Sequence, residues 1–239
     1  MNPARQTAIG VGLALAILAA WAITHAYAVF FHELGINSLV IGPLLVALAC
    51  WLNVGLFIVA HDAMHGSLAP GQAAVNRLFG RLALALYAGF WFDDLRKSHF
   101  EHHRAPGTHE DPDFGTSPGL VPWYAGFLRR YFGWPQFLAL SAATLALRLA
   151  GAPFANILLF WALPAILSSL QLFYFGTYLP HRPSRDPFAD DHRARSNAFG
   201  WLASLMSCYH FGYHHEHHLA PHVPWWRLPA ERRRRARAR

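Results

Sequence analysis

Cysteine is scarce in this sequence: 239 residues hold two, Cys50 and Cys208, far apart and the first inside an apolar run. That excludes a disulfide framework and any C-x-x-C metal site. Charge is scarce too, at 14% against 54% hydrophobic residues. A soluble domain of this size needs no apolar run beyond about 20 residues, whereas a bilayer core of roughly 30 Å needs that length. No flavin, haem or ferredoxin motif is present, and no convincing nucleophile or acid–base dyad. Any electrons the chemistry uses therefore come from outside the chain. The net charge of +7 rests partly on a basic tail at 231–239. In a soluble protein this would suggest nucleic acid; in so apolar a chain it reads as membrane orientation, with no nucleic-acid partner.

What the sequence does have is apolar length. Thr7 to Phe31 and Ile36 to Ala60 are separated only by His32-Glu33-Leu34-Gly35. So short a connection forces an antiparallel helical hairpin. Arg5 and Ala26-Tyr27-Ala28 imitate a cleaved signal, but the run exceeds the usual apolar region of about 7–15 residues, and the hairpin needs its first helix. Tyr131 to Ala150 and Phe154 to Leu179 form a second hairpin around Gly151-Ala152-Pro153, with a kink expected at Pro164. Leu78 to Phe92 carries Arg81 and is too short to span, so it reads as an interfacial helix. Asp93 to Arg130 is polar and rich in turn residues, and Ala198 to Leu205 predicts a short surface helix.

Histidine is the other excess, 16 in all. His61 and His65 lie four apart, and H-x-x-H-H occurs twice, as His99, His102, His103 and as His214, His217, His218. Positions i, i+3 and i+4 share a helix face, so each cluster is expected to aim its rings one way. A solvated face would use Lys and Glu; histidines gathered at a membrane boundary point to a shared ion. Eight imidazoles exceed the needs of one ion and imply a dinuclear site, with the element left open among zinc, copper and iron. His25, His32 and His192 stand alone and read as hydrogen-bonded or interfacial residues. His215 points off the face, and nothing in their spacing makes His109 or His222 ligands. Asp62, Glu101, Asp111, Asp113, Glu216 and His210 are candidates to steady the ligands. Trp91, Trp123, Trp225 and Trp226 read as interface anchors or as the lining of a substrate tunnel.

For the clusters to meet, the chain must cross the membrane an even number of times between them. No crossing between His65 and His99 and two between His103 and His214 satisfy this. Of 20 Lys and Arg residues, all but Arg148 then fall on the cluster side, which the positive-inside rule places in the cytoplasm. The expectation is a single all-α integral membrane domain in the inner (cytoplasmic) membrane. Four transmembrane helices form two hairpins, and a cytoplasmic helical cap carries the dinuclear site and both termini.

The three histidine boxes, interleaved with two apolar hairpins, resemble the membrane di-iron superfamily of fatty-acid desaturases, alkane hydroxylases and carotenoid oxygenases. More narrowly, three stretches are similar to bacterial-type beta-carotene ketolases. They are His61-Asp62-Ala63-Met64-His65-Gly66-Ser67-Leu68, then His102-His103-Arg104 with Pro106-Gly107-Thr108 and Asp111-Pro112-Asp113, and Tyr209 to Leu219 followed by Pro221 to Pro229. The resemblance covers nearly the whole chain; the boxes identify the superfamily and the flanking residues carry the ketolase likeness. It implies a ninth ligand, His181, directly after the fourth span. It also implies two iron ions, O2 as co-substrate, a ferredoxin-like electron donor docked on the basic face, and oxidation of beta-carotene at C4 and C4′ through echinenone to canthaxanthin. A carotenoid ring hydroxylase and a fatty-acyl desaturase or hydroxylase share the boxes. A non-catalytic or zinc-binding membrane protein is the alternative of another class. Reporter fusions check the topology: a cytoplasmic reporter is expected to be active after residue 239 and silent at 151–153.

Overall fold

A helix satisfies its own backbone hydrogen bonds, so it is the form a long apolar segment takes away from water. The computed structural model describes residues 1–115 and 117–238, and among them there is helix and no strand. In chain order the helices are α1 (Pro3–Phe31), α2 (Ser38–His65), α3 (Ala73–Ala88), α4 (Phe92–Arg104) and α5 (Leu120–Tyr131). They continue with α6 (Trp134–Leu149), α7 (Phe154–His181), α8 (Trp201–Cys208), α9 (His214–Leu219) and α10 (Leu228–Ala236). Among the described residues three helices, α1, α2 and α7, are long and apolar enough to cross a membrane.

α2 is the central strut and packs against α1, α3 and α7. Its last three turns are buried except for half-buried Phe57 and His65, and Leu56, Ile58, Val59 and Ala60 form the core with Leu84 of α3, Leu172 of α7 and Tyr209. Gly55 lies under Tyr209: a Cβ there would sit 2.6 Å from the phenol oxygen, so a side chain is excluded at this crossing. The outer faces expose Ile23, Leu39, Leu138, Leu149 and Ile166, an apolar girdle of the kind lipid covers.

Several elements differ from the sequence expectation. α2 does not stop at Ala60 but carries His61 and His65 in its last turn. The segment read as the third span starts later, at Trp134, and is 16 residues long, about 24 Å of helix and short of the usual span. The polar, turn-rich segment from Asp93 to Arg130 holds nearly all of α4 and α5. Its turn residues Pro106-Gly107, Pro112 and Pro118-Gly119 lie between the two helices, and Pro122 falls in the first turn of α5, where no N–H is missed. Residues 231–236 of the basic tail are helical as part of α10.

Three π-helical turns interrupt the long helices. One closes α1 at Tyr27–Phe31; one lies in α7 at Leu158–Ala162, just before Pro164, and one at Phe173–Tyr178, just before Pro180. Each of these prolines lacks an N–H and pushes away the carbonyl four residues back, and a widened turn absorbs the mismatch. At the end remote from the histidines, Asn156 is 1% exposed and donates to Ala28 O at 3.0 Å and His32 O at 2.8 Å. It ties the start of α7 to the end of α1. Asn156→Leu is expected to destabilise the protein by roughly 1–3 kcal/mol, since two buried carbonyls lose their donor. The measurement is unfolding in detergent against wild type.

Candidate metal centre

Four helix ends supply the rings. His61 and His65 occupy the last turn of α2, which Gly66 terminates at φ 70 so that the Ser67 and Leu68 N–H groups fold back onto Asp62 O. His99, His102 and His103 lie along α4, His181 ends α7, and His214, His217 and His218 lie on α9. Tyr209 and His210, both left-handed at φ 48 and 62, make the turn that leads into α9.

The structure brings the nine predicted histidines together in two adjoining groups that could each hold a metal ion. One is His61, His65, His99, His103 and His217; the other is His102, His181, His214 and His218, with ligand atoms in each group within 4.8 Å of one another. Nε2 atoms approach at 2.7 Å for His65–His99, 3.0 Å for His103–His217 and for His214–His218, and 3.2 Å for His102–His218. Two imidazole nitrogens bound at roughly 2.1 Å and about 90° apart on one ion would sit about 3.0 Å from each other, and opposed ones about 4.2 Å. The groups touch where His103 stacks on His218, ring centres 4.2 Å apart.

Each H-x-x-H-H box is thus divided, not aimed one way as the spacing suggested. The i,i+4 pairs His99–His103 and His214–His218 stay together, and the middle residue, His102 or His217, crosses to the other group. Adjacent residues on a helix diverge by about 100°, which is why neighbours in sequence part company.

The donors suit a cation. Burial, then the crowding of other imidazoles, holds His99, His214, His217 and His218 well below the ordinary histidine range, and His103 down to about 2. Neutral rings are the ones that can ligate. Among the described residues both nitrogens of His61 and the Nε2 of His181 are buried with no hydrogen-bond partner. Such orphans cost stability unless something binds them. At His181 the other nitrogen, Nδ1, donates to Arg193 O at 2.8 Å, leaving Nε2 free as a ligand. Arg193 sits at φ 43 to make this contact; a backbone carbonyl leaves no trace in a sequence motif.

The carboxylates separate into different jobs. Asp111 accepts from His102 Nδ1 at 2.9 and 3.0 Å and from the Gly107 and Asp113 N–H groups, so it fixes both ring and loop. Burial disfavours charge on His102, but the Asp111 hydrogen bond and the charges of Asp113 and Asp111 outweigh it and raise its pKa. Asp113 accepts from the Tyr131 hydroxyl and stands 3.8 Å from His102 Nδ1. Burial pushes Asp113 up against the pull of His102. Asp62 lies 3.8 Å from His61 Nδ1 and accepts the Trp225 N–H at 3.2 Å, so it ties the C-terminal segment to α2. Glu216 accepts from Ser196 and no ring, and Glu101 makes no such bond among the described residues. His210 stacks on Tyr213 outside both groups, and burial lowers it to about 4. His215 turns away to Asp190 at 2.8 Å.

A cavity of ≈ 520 Å³ opens onto both groups, with His61 and His99 from one and His102 and His214 from the other. Its walls are largely apolar, built from Phe57 and Met64 of α2, Phe127 of α5, Phe137 and Leu140 of α6, and Trp161 of α7. None of the four tryptophans considered from the sequence lines it; Trp123 is 1% exposed and packed inside, and Trp91 is 69% exposed. Phe211 seals the histidine end, 4.6 Å from His61 and 4.8 Å from His214, and a Cβ on Gly176 would come within 2.9 Å of it.

Two helical hairpins under a roof of split histidine boxes match the fatty acid desaturase family model at residues 36–150 and 128–239, and the chain belongs to that family. Within it, the chain is 48% identical over 234 residues to a beta-carotene ketolase of Paracoccus sp. (strain PC1), covering 98% of this chain and 96% of that one. It is 38% identical to a beta-carotene ketolase of Haematococcus lacustris, over 97% of this chain and 81% of that one. It is also 38% identical to a zeaxanthin 4-ketolase of Chlamydomonas reinhardtii, over 95% of this chain and 54% of that one.

Asp111→Ala removes the acceptor that orients His102. Metal occupancy of the purified protein, measured by elemental analysis across a chelator titration, is expected to fall at chelator strengths about 10–100-fold lower than in wild type.

Proposed function

We propose that this protein is a membrane-embedded di-iron oxygenase that converts the ring methylenes of beta-carotene at C4 and C4′ to ketones, through echinenone to canthaxanthin. The observation that carries the reading is an apolar cavity ending on both histidine groups, in a chain 48% identical over nearly its whole length to a beta-carotene ketolase. His61, His65, His99, His103 and His217 would hold one ion and His102, His181, His214 and His218 the other. Iron bound there would supply the activation of O2 needed to attack an inert C–H bond.

The chain's own part is placement. The cavity walls hold the ring and exclude water, while Asp111 and the Arg193 carbonyl fix the tautomers of His102 and His181. Each round consumes O2, two electrons and two protons; one oxygen enters the C–H bond as hydroxyl and the other leaves as water. Two rounds at C4 give a geminal diol, which loses water to leave the ketone. The electrons come from an external ferredoxin-like donor; exposed Arg182 and Arg185 beside His181 offer an acidic partner a face, with attraction that salt weakens.

The reading includes one domain with four crossings, and both termini and the site in the cytoplasm. Support for α6 as a crossing is that Tyr131, just before it, bonds Asp113 at the histidine end, while Arg148 near its close bonds Ala152 at the other. Helices of this length are accommodated by local thinning of the bilayer. The segment 78–92 stays interfacial. Purely structural or zinc-binding roles find less support, because a closed zinc site needs no cavity leading to its ligands.

The test is expression in cells that accumulate beta-carotene, followed by chromatography of the pigments. Echinenone and canthaxanthin are expected. Zeaxanthin alone means ring hydroxylation at C3, altered lipids with no new pigment mean acyl chemistry, and an unchanged profile sinks the oxygenase reading. His217→Ala, which takes one ring from the five-histidine group, is expected to lower ketone yield at least about 100-fold with membrane insertion intact.

A further inference from the structure

One polar couple on the cavity wall is not used by the oxidation as described. Tyr131, the last residue of α5, donates its hydroxyl to Asp113 Oδ1, and both residues line the cavity. The other carboxylate oxygen, Asp113 Oδ2, is 3.8 Å from His102 Nδ1, beyond hydrogen-bond reach, and that nitrogen is already committed to Asp111. The couple therefore shows the cavity the lone pairs of the phenol oxygen, whose hydrogen is turned to Asp113. It stands beside His102, one of the four histidines at the reactive end. The second polar couple on the wall differs. Tyr124 donates to Ser169 at 2.5 Å, because the Ser169 hydroxyl is itself committed to Ile166 O, and no carboxylate takes part.

A phenol oxygen that can only accept, set in an apolar chamber, discriminates among the forms of a ring undergoing two oxidations. The starting methylene offers it nothing. The alcohol left by the first round offers an O–H. The ketone offers only another acceptor, and two facing acceptors in a low-dielectric site repel. Resting on the proposed ketolase reading, we propose that Tyr131 and Asp113 form a hydroxyl-recognition site that retains the C4 alcohol for the second oxidation and releases the ketone. It would make a two-round reaction run to its end without a separate enzyme for the second round.

Two measurements test this. In beta-carotene-accumulating cells, Tyr131→Phe is compared with wild type by the ratio of C4 alcohol to C4 ketone among oxidised rings, a ratio that does not depend on how much enzyme folds. A rise of roughly 3- to 10-fold is expected from losing one hydrogen bond. An unchanged ratio, with ketone still formed, overturns the assignment and leaves the ketolase reading standing; absence of ketone in wild type fails that reading instead. The second measurement needs no variant. Wild-type membranes turning over beta-carotene are challenged with the 4-hydroxy ring compound, with canthaxanthin and with zeaxanthin. The 4-alcohol is expected to compete at least about 10-fold better than canthaxanthin. Equal competition overturns the proposal, as does better competition by zeaxanthin, which would assign the recognised hydroxyl to C3.

Discussion

An imidazole buried among imidazoles has to stay neutral and has to point. A charge on a ring such as His99 or His217 would be set against close neighbours in a space with little water, and burial already holds these two below their usual range. A neutral ring still brings two polar nitrogens that each need a partner. The cluster resolves this by turning one nitrogen of His102 and His181 outward to the chain and gathering the others at two foci. The rest of the architecture follows from bringing four helix ends to one spot at the correct rotation. α2 runs on past its apolar stretch to deliver His61 and His65, and α7 widens into π turns just ahead of Pro164 and Pro180 before it delivers His181.

The apolar part of the protein and the polar part share the cavity as a border. Its walls come from the same helices whose outer faces expose leucine and isoleucine, and its closed end is nitrogen. An apolar substrate in the cavity therefore meets hydrocarbon side chains up to the reactive groups. The six-membered end ring of a polyene is the part such a chamber is proportioned for, at a volume within the range of about 300–1,000 Å³ common for small-molecule sites.

Much of this was legible in the sequence, and the gaps have definite causes. Apolar run length exposed α1, α2 and α7, since few other arrangements tolerate such runs. It overstated the segment at 131–150, where Phe132 and Gly133 break the helix between α5 and α6. α5 itself was hidden because turn residues surround it and its apolar stripe is short. Spacing identified eight of the nine candidate ligands, and the family resemblance the ninth, His181, yet spacing suggested one direction per box. The division of His102 from His103, and of His217 from His218, depends on how α4 and α9 face each other, which is tertiary information. Among the carboxylates, sequence proximity treated Asp62, Glu101, Asp111, Asp113 and Glu216 alike. Only Asp111 hydrogen-bonds a grouped ring, because the turn at Gly107 folds it back beneath α4.

The crosswise division of the boxes also imposes an order on biogenesis. A ribosome releases the chain from the N-terminus, and the first hairpin with α4 carries four of the five rings of one group but only His102 of the other. His217 completes the first group and His214 and His218 the second, so both finish within a few residues of each other, near the end of synthesis. An emerging chain therefore holds a half-made cup of histidines for most of its time in the membrane, exposed to whatever soft or borderline cation the cell has free. Docking of α7 and α9 closes both groups together, which makes the arrival of the last box the event that separates a precursor from a finished fold.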